Sequence, residues 1–167
     1  TDLDVPITLK KNQELRQMKT FVKNNVYHGK EYEYAPALSN DERVVFAQHP
    51  QAGLIYDRRA AVTLHVSDNR LVSYTQTYLT KLNILRDHLS LMSEQDAVIA
   101  LYRDNDIPNN SAIVSTQLAY SYLLDAKGST VYVPAWYIGV KNRSTGNVTV
   151  KRVNAITRTV MKNRNDS

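Results

Sequence analysis

The sequence has no cysteine, which excludes disulfide bonds, Cys-ligated zinc and thiol catalysis. Glycine is scarce, at five residues, and none lies in a Gly-rich phosphate-binding loop. No serine has the Gly-x-Ser-x-Gly context of a hydrolase nucleophile. The absence of these two motifs disfavours phosphoryl transfer and acyl transfer as activities of the chain.

Long apolar runs are also missing. No segment approaches the roughly 20 apolar residues of a membrane-spanning helix, and the opening TDLDVPITLKKNQ lacks the apolar core of a signal peptide. Because the sequence starts at Thr1 rather than methionine, we expect a trimmed or processed chain from which a membrane anchor could have been removed.

The 167 residues have the composition of a folded globular protein, with 43% hydrophobic and 22% charged residues. Lysine and arginine outnumber aspartate and glutamate by 21 to 16, and such an excess favours contact with anionic polymers or surfaces. The cations are spread along the chain, however, as on an ordinary solvated face. We therefore predict no nucleic-acid partner.

The histidines do not form a metal-binding pattern, because no two have the spacing of a ligand pair on a helix. We expect each to lie on the surface or to pack on a strand, and we predict neither a metal nor another cofactor. The four are His28, His49, His65 and His88.

Two carboxylate pairs are the only arrangement that resembles catalytic machinery. Glu31 with Glu33, and Asp104 with Asp106, could in principle supply the two acids of a glycosidase. Each pair lies at the edge of a predicted element, where solvated charge or helix capping explains it equally well. We expect no enzymatic activity, and a small two-carboxylate hydrolase stays as the enzymatic alternative.

The first half of the chain predicts one helix and several strands. Helical spacing of Leu15, Met18, Phe21 and Val22 indicates a helix over residues 13–25, capped by Asn12. Pro6 indicates an extended lead-in or edge strand before this helix. Strands are predicted over residues 30–38, from residue 44, over 54–66 and over 71–79, with a hairpin turn at residues 68–69.

The second half repeats this order. Ser93 is a good N-cap for a helix that ends near Asn105, with a buried stripe of Ala97, Val98, Leu101 and Tyr102. Three strands follow, beginning at residues 111, 130 and 148, with turns at residues 127–128 and 144–146.

The matching order of elements predicts an α+β fold of two repeated modules, each a helix packed on an antiparallel meander sheet. The predicted boundaries are residues 1–82 for the first module, 83–92 for a connector, 93–161 for the second module and 162–167 for a frayed tail.

The strand over residues 130–141 is apolar on both faces. A sheet covered by a helix on one side only should carry polar residues on the other, so its second face must meet another part of the protein or a partner. As the partner-binding surface we predict Val131, Val133 and Tyr137 with nearby Arg152.

Tyrosine is abundant, with eleven residues against two phenylalanines and one tryptophan. Tyrosine suits half-buried strands, protein interfaces and the stacking of polymer units. Besides plain sheet packing and a protein interface, a module that binds anionic glycan or teichoic acid in the cell wall therefore remains open.

Residues 93–155 and the segment that follows resemble the YycI (WalI) family. The resemblance lies in SEQDAVIALYRDNDIPNNS, TQLAYSYLL, VYVPAWYI and VNAITRTV, whereas residues 1–80 match mainly in the order of their elements. After VNA the family tends to have a Thr-Gly turn, and here Thr157 is followed by Arg158.

The resemblance implies a function but no catalytic site. Members of this family look like extracytoplasmic regulators of the WalK/WalR two-component system, held on the membrane by an N-terminal helix and partnered by the related YycH (WalH). The chain would then be a non-enzymatic extracellular region that binds a WalK-like sensor kinase and a YycH-like protein, without its anchor. A homodimer is a further assembly left open.

Overall fold

The computed structural model describes residues 1–83, 85 and 89–162. The chain divides into two compact units, Thr1–Asn83 and Ile84–Ser167. Among the described residues, no helix is both long and apolar enough to cross a membrane. His88, part of the predicted connector and residues 163–167 of the predicted tail lie outside the described residues.

The first unit contains one α-helix and six strands, and its strand pairs are antiparallel. Strands β1, β6, β5 and β3 lie side by side in that order, and β2 and β4 each pair with β3. The elements are β1 (Asp2–Thr8), α1 (Glu14–Asn25), β2 (Tyr32–Tyr34), β3 (Arg43–Gln48), β4 (Ile55–Tyr56), β5 (Ala61–Ser67) and β6 (Arg70–Gln76).

Helix α1 forms as its periodicity predicts, but its first turn differs. Asn12 does not cap the helix: its φ is 65°, and the N-cap is Gln13, which makes no side-chain hydrogen bond there. Leu15 is partly exposed rather than buried. The remaining stripe packs on the sheet in one apolar cluster, whose members include Met18, Phe21, Val22, Phe46, Leu64 and Leu71.

The strand predicted over residues 30–38 was predicted too long. Only Tyr32–Tyr34 is extended, and 3₁₀ turns at Gly29–Glu31 and Pro36–Leu38 flank it. Pro36 fixes its own φ and has no N–H to donate to a neighbouring strand, so the ladder cannot continue through it. The predicted hairpin turn is confirmed, since Asp68 and Asn69 both have positive φ, as a tight two-residue hairpin requires.

In the described part of the second unit, α2 is accompanied by four strands in the order β7, β8, β9, β10, and all of their pairings are antiparallel. Ser93 caps α2 as predicted, because its Oγ accepts a hydrogen bond from the Asp96 N–H at 3.1 Å. The elements are α2 (Glu94–Arg103), β7 (Ser111–Ala126), β8 (Ser129–Asn142), β9 (Val148–Asn154) and β10 (Val160–Met161).

Helix α2 buries a narrower face than its sequence predicts. Of the four predicted residues, Ala97 and Leu101 are buried, Val98 is half-buried and Tyr102 is exposed. Ala100, which was not predicted, is also buried. Small residues at two of these positions allow the helix to approach the sheet closely.

The last turn forms although it lacks glycine. Arg158 has φ of 63°, a conformation that glycine adopts without steric cost. The side-chain oxygen of Asn154 accepts the backbone N–H groups of Ile156 and Thr157, at 2.9 and 3.0 Å. This local hydrogen bonding holds the turn in place of the Thr-Gly pair expected from the resemblance.

The α+β class is confirmed. The two units differ in the number and order of their strands, since β1 precedes the helix in the first unit, and β2 and β4 are additional strands that pair with β3. The repetition of a single module stays a prediction.

Candidate interaction surfaces

The long strand β8 presents two distinct faces within the second unit. Trp136, Ile138 and Val140 lie on the face that packs with α2. The Trp136 side chain also donates a hydrogen bond from Nε1 to the Met92 carbonyl oxygen at 3.0 Å. The opposite face, which α2 does not cover, carries the predicted partner-binding residues.

Exposure on this opposite face changes along the strand. Tyr137 is only 4% exposed, between Gln117 on β7 and Arg152 on β9 in the strand register. Val131 and Val133, nearer the β7–β8 turn, are half-buried. The valines are therefore accessible to a partner, whereas the Tyr137 ring is not.

Arg152 is tied to its own unit. Its Nη1 donates to Ser121 Oγ at 3.1 Å, and its Nη2 donates to the Lys162 carbonyl oxygen at 2.7 Å. Ser121 lies opposite Val133 in the register, so the guanidinium group borders the same face as the valine. Its hydrogen bonds leave it oriented and half-buried rather than free in solvent.

A β-bulge adds a residue that alternation along the sequence did not identify. The β7–β8 register shifts between Tyr122 and Leu124, so that Leu124 pairs with Val131. Residues directly opposite in a ladder lie on the same face, so Leu124, which is 43% exposed, joins the valines. We call Leu124, Val131 and Val133 the hairpin-tip surface.

A second feature, in the first unit, is a cluster of aromatic rings around one carboxylate. The His28 ring stacks on Tyr78 with a centroid distance of 4.9 Å and an interplanar angle of 14°. Tyr27 meets His28 edge to face at 4.1 Å, and Tyr32 is 6.4 Å from Tyr78. We call these four residues with Glu31 the aromatic cluster.

Hydrogen bonds link the carboxylate to two of the rings. The Tyr78 hydroxyl donates to Glu31 Oε2 at 2.6 Å, and His28 Nδ1 lies 2.9 Å from Glu31 Oε1. The bond from Tyr78 lowers the pKa of Glu31, with burial opposing this effect and His28 reinforcing it. The same bond, aided by burial, raises the pKa of Tyr78 to about 12, so the phenol stays protonated and donates.

The backbone at the end of α1 brings this cluster together. His28 has φ of 51°, and a side chain on Gly29 would collide with the Val22 carbonyl oxygen. The Gln76 amide donates to the Tyr27 carbonyl oxygen at 2.5 Å and to the Tyr32 hydroxyl at 3.0 Å. Sequence reasoning treated residues 27–29 only as the end of a helix, because Tyr78 lies about 50 residues further along.

The aromatic cluster offers a surface rather than a reactive group. Both Glu31 oxygens and the Tyr78 hydroxyl are engaged in hydrogen bonds, and burial raises the pKa of Tyr32. Tyr27 is the most exposed of the aromatic residues, with 69% of its surface accessible, and the His28 ring is also exposed. A ring in this position can contribute to binding.

The four candidate acids have separate hydrogen-bond or ion-pair partners. Glu31 belongs to the aromatic cluster, whereas Glu33 pairs with His49 at 2.9 Å. Asp104 lies 3.6 Å from Arg103, and Asp106 lies 3.4 Å from Lys151. Each carboxylate thus has its own partner, as expected for surface charge. His65 is half-buried on β5, and within the described part of the chain no three potential metal ligands come together.

The chain matches one protein family in sequence and resembles a solved structure in fold. The family described as YycI protein matches residues 1–156. Among solved structures, the Bacillus megaterium YpeB C-terminal domain matches with a TM-score of 0.58 and 16% sequence identity, over 93% of this chain and 65% of that chain. The present chain thus spans about two thirds of that domain's length, and the likeness concerns the fold alone. No curated protein matches the chain.

Proposed function

We propose that this chain, which belongs to the YycI protein family, is a non-enzymatic, extracytoplasmic regulator that acts by binding other proteins. The family is one of regulators associated with the WalK/WalR two-component system. The finer proposal is that this chain contacts the extracellular part of a WalK-like sensor kinase and a YycH-like partner, next to the membrane to which an N-terminal helix would hold it.

The observation that carries this proposal is the extent of the family match, which covers residues 1–156 and therefore most of both compact units. The separate pairing of the four candidate carboxylates supports a binding role over hydrolysis. The same binding role accommodates a homodimer.

We propose the hairpin-tip surface as the contact region, with Arg152 at its border and Tyr137 as its buried support. Protein interfaces typically combine an apolar centre with a polar rim, and a few well-packed side chains carry most of the binding energy. Leu124, Val131 and Val133 supply accessible apolar surface, and the hydrogen-bonded Arg152 guanidinium supplies an oriented polar group.

Binding of purified extracellular domains tests this proposal. The chain should form a complex with the WalK-like or the YycH-like domain from the same organism in size-exclusion chromatography and calorimetry. Leu124→Asp should weaken that complex about tenfold or more, because it places a charge in an apolar contact. Ile99→Asp is the matched control, since Ile99 is also exposed but lies on α2.

Circular dichroism must first show that both variants fold like the wild type. Equal affinity for the two variants would reject the hairpin-tip surface as the contact region. If neither partner binds, even when full-length membrane-anchored proteins are reconstituted together, the proposed function itself is wrong.

A further inference from the structure

An open groove lies between β1 and α1 in the first unit, away from the aromatic cluster. Its volume is about 310 Å³, at the lower end of the roughly 300–1,000 Å³ that ligand pockets occupy. Its floor is apolar and comprises Ile7, Leu9, Met18, Phe21 and Leu71, and its rim is polar and comprises Gln13, Arg16, Gln17, Thr20 and Asn25.

Most of the polar rim already serves the protein's own backbone. Gln17 Oε1 accepts the Lys10 N–H at 2.6 Å, the Asn25 amide donates to the Phe21 carbonyl oxygen at 3.1 Å, and the Thr20 hydroxyl donates to the Arg16 carbonyl oxygen at 2.9 Å. The Arg16 guanidinium differs, because it forms no ion pair within the described ranges. An anionic ligand group can therefore reach it.

Arg16 is the first of three exposed cations along one side of α1. Lys19 and Lys23 follow at helical spacing and span about 10 Å at 1.5 Å per residue. Neither lysine forms an ion pair in the part of the chain that the structure describes. The only acidic residue of α1, Glu14, lies two positions from Arg16 and so on the opposite side. We call Arg16, Lys19 and Lys23 the basic stripe.

We infer that the groove and the basic stripe together bind an acidic segment of a partner protein, which inserts a large apolar side chain between β1 and α1. The apolar floor provides the site for that side chain, and the cations provide sites for carboxylates repeated along the segment. Their arrangement in a line, rather than around the mouth of the groove, favours a chain of carboxylates over a single small anion. This inference rests on the proposed function, since the segment would belong to one of the proposed partners.

Helix α1 is unlike a helix that lies in a membrane surface. Such helices direct large apolar residues outward into the lipid, whereas Met18, Phe21 and Val22 of α1 are buried in the unit's own core. The solvent-exposed side of α1 carries the basic stripe with Thr20 and Asn24, and Leu15 is its one exposed large apolar residue. A protein segment that brings its own apolar anchor to the recessed groove therefore fits the surface better than a lipid bilayer does.

Two sets of variants test the inference with the WalK-like and YycH-like extracellular domains as probes. The double variant Lys19→Glu and Lys23→Glu should weaken the complex about tenfold and reduce its dependence on salt. Ile7→Lys should weaken it to a similar degree by placing an ammonium group over the apolar floor. The matched control is Lys141→Glu with Arg143→Glu, which makes the same change in charge at exposed positions of the second unit.

Amide hydrogen exchange on the wild-type complex locates the contact, and protection of residues 7–9 and 13–20 is the expected result. Complexes that form equally well with both α1 variants would overturn the inference while leaving the proposed function intact. The absence of any complex, even with anchored full-length proteins, would reject both. Charge-sensitive binding to phosphatidylglycerol vesicles or to polyphosphate, with unchanged binding to the protein domains, would instead assign the basic stripe to a lipid or polymer.

Discussion

Truncation of Leu101 to alanine measures how strongly α2 is docked on its sheet. Leu101 is 0% exposed and shares an apolar cluster with Ile138, Val140 and Val153. Removal of a buried leucine side chain costs its transfer free energy plus that of the cavity left behind, about 2–5 kcal/mol in total. We expect Leu101→Ala to lower the free energy of unfolding of the second unit by about 3 kcal/mol.

Ile99→Ala serves as the matched variant, because Ile99 is on the same helix but 59% exposed. It should cost less than about 1 kcal/mol, since an exposed side chain buries little apolar area in the folded state. Fluorescence of the sole tryptophan, Trp136, reports on this unit directly during urea unfolding. Equal losses in the two variants would refute the packing of α2 through Ala97, Ala100 and Leu101.

Three further predictions concern local features. Tyr78→Phe should raise the pKa of Glu31 in a carbon-detected NMR titration, because it removes the hydrogen bond that lowers it. A carboxyl group whose pKa is lower in the folded than in the unfolded protein stabilises the fold at pH values above its unfolded pKa. The loss of stability in this variant should therefore be largest above pH 4.5 and should shrink in more acidic solution. A loss that does not vary with pH would contradict this. Arg158→Gly should stabilise the protein by roughly 0.5 kcal/mol in urea unfolding, since φ is 63° there, and a loss of stability would argue against that conformation. Ser93→Ala should cost about 1 kcal/mol through loss of the cap on the Asp96 N–H, whereas Ser144→Ala in an exposed turn should cost less.

The position of the functional surfaces depends on both levels of structure. The apolar character of Val131 and Val133 is visible in the sequence, and so is the expectation that this strand face needs a cover. The sequence does not show which of these residues are accessible to solvent. Tyr137, on the same face, is only 4% exposed. The proposed contact region is therefore centred nearer the β7–β8 turn than the sequence predicted, and a β-bulge adds Leu124 to it.

Features that depend on neighbours within a few residues are predictable from the sequence alone. The cap by Ser93 and the left-handed turn at Asp68 and Asn69 both follow from local backbone and side-chain preferences. Resemblance, rather than local physical preference, pointed to the YycI family through four segments that include VYVPAWYI, and the family match over residues 1–156 confirms it.

Features that depend on contacts between residues far apart in the sequence became visible in the folded chain alone. The aromatic cluster needs Tyr78 beside His28, and the groove needs β1 beside α1. Leu124 lies on the face of Val131 only because the β7–β8 register shifts by one residue. The physical reason is that local pattern sets which face of an element is apolar, whereas the register and packing of distant elements set which apolar and charged groups are left accessible.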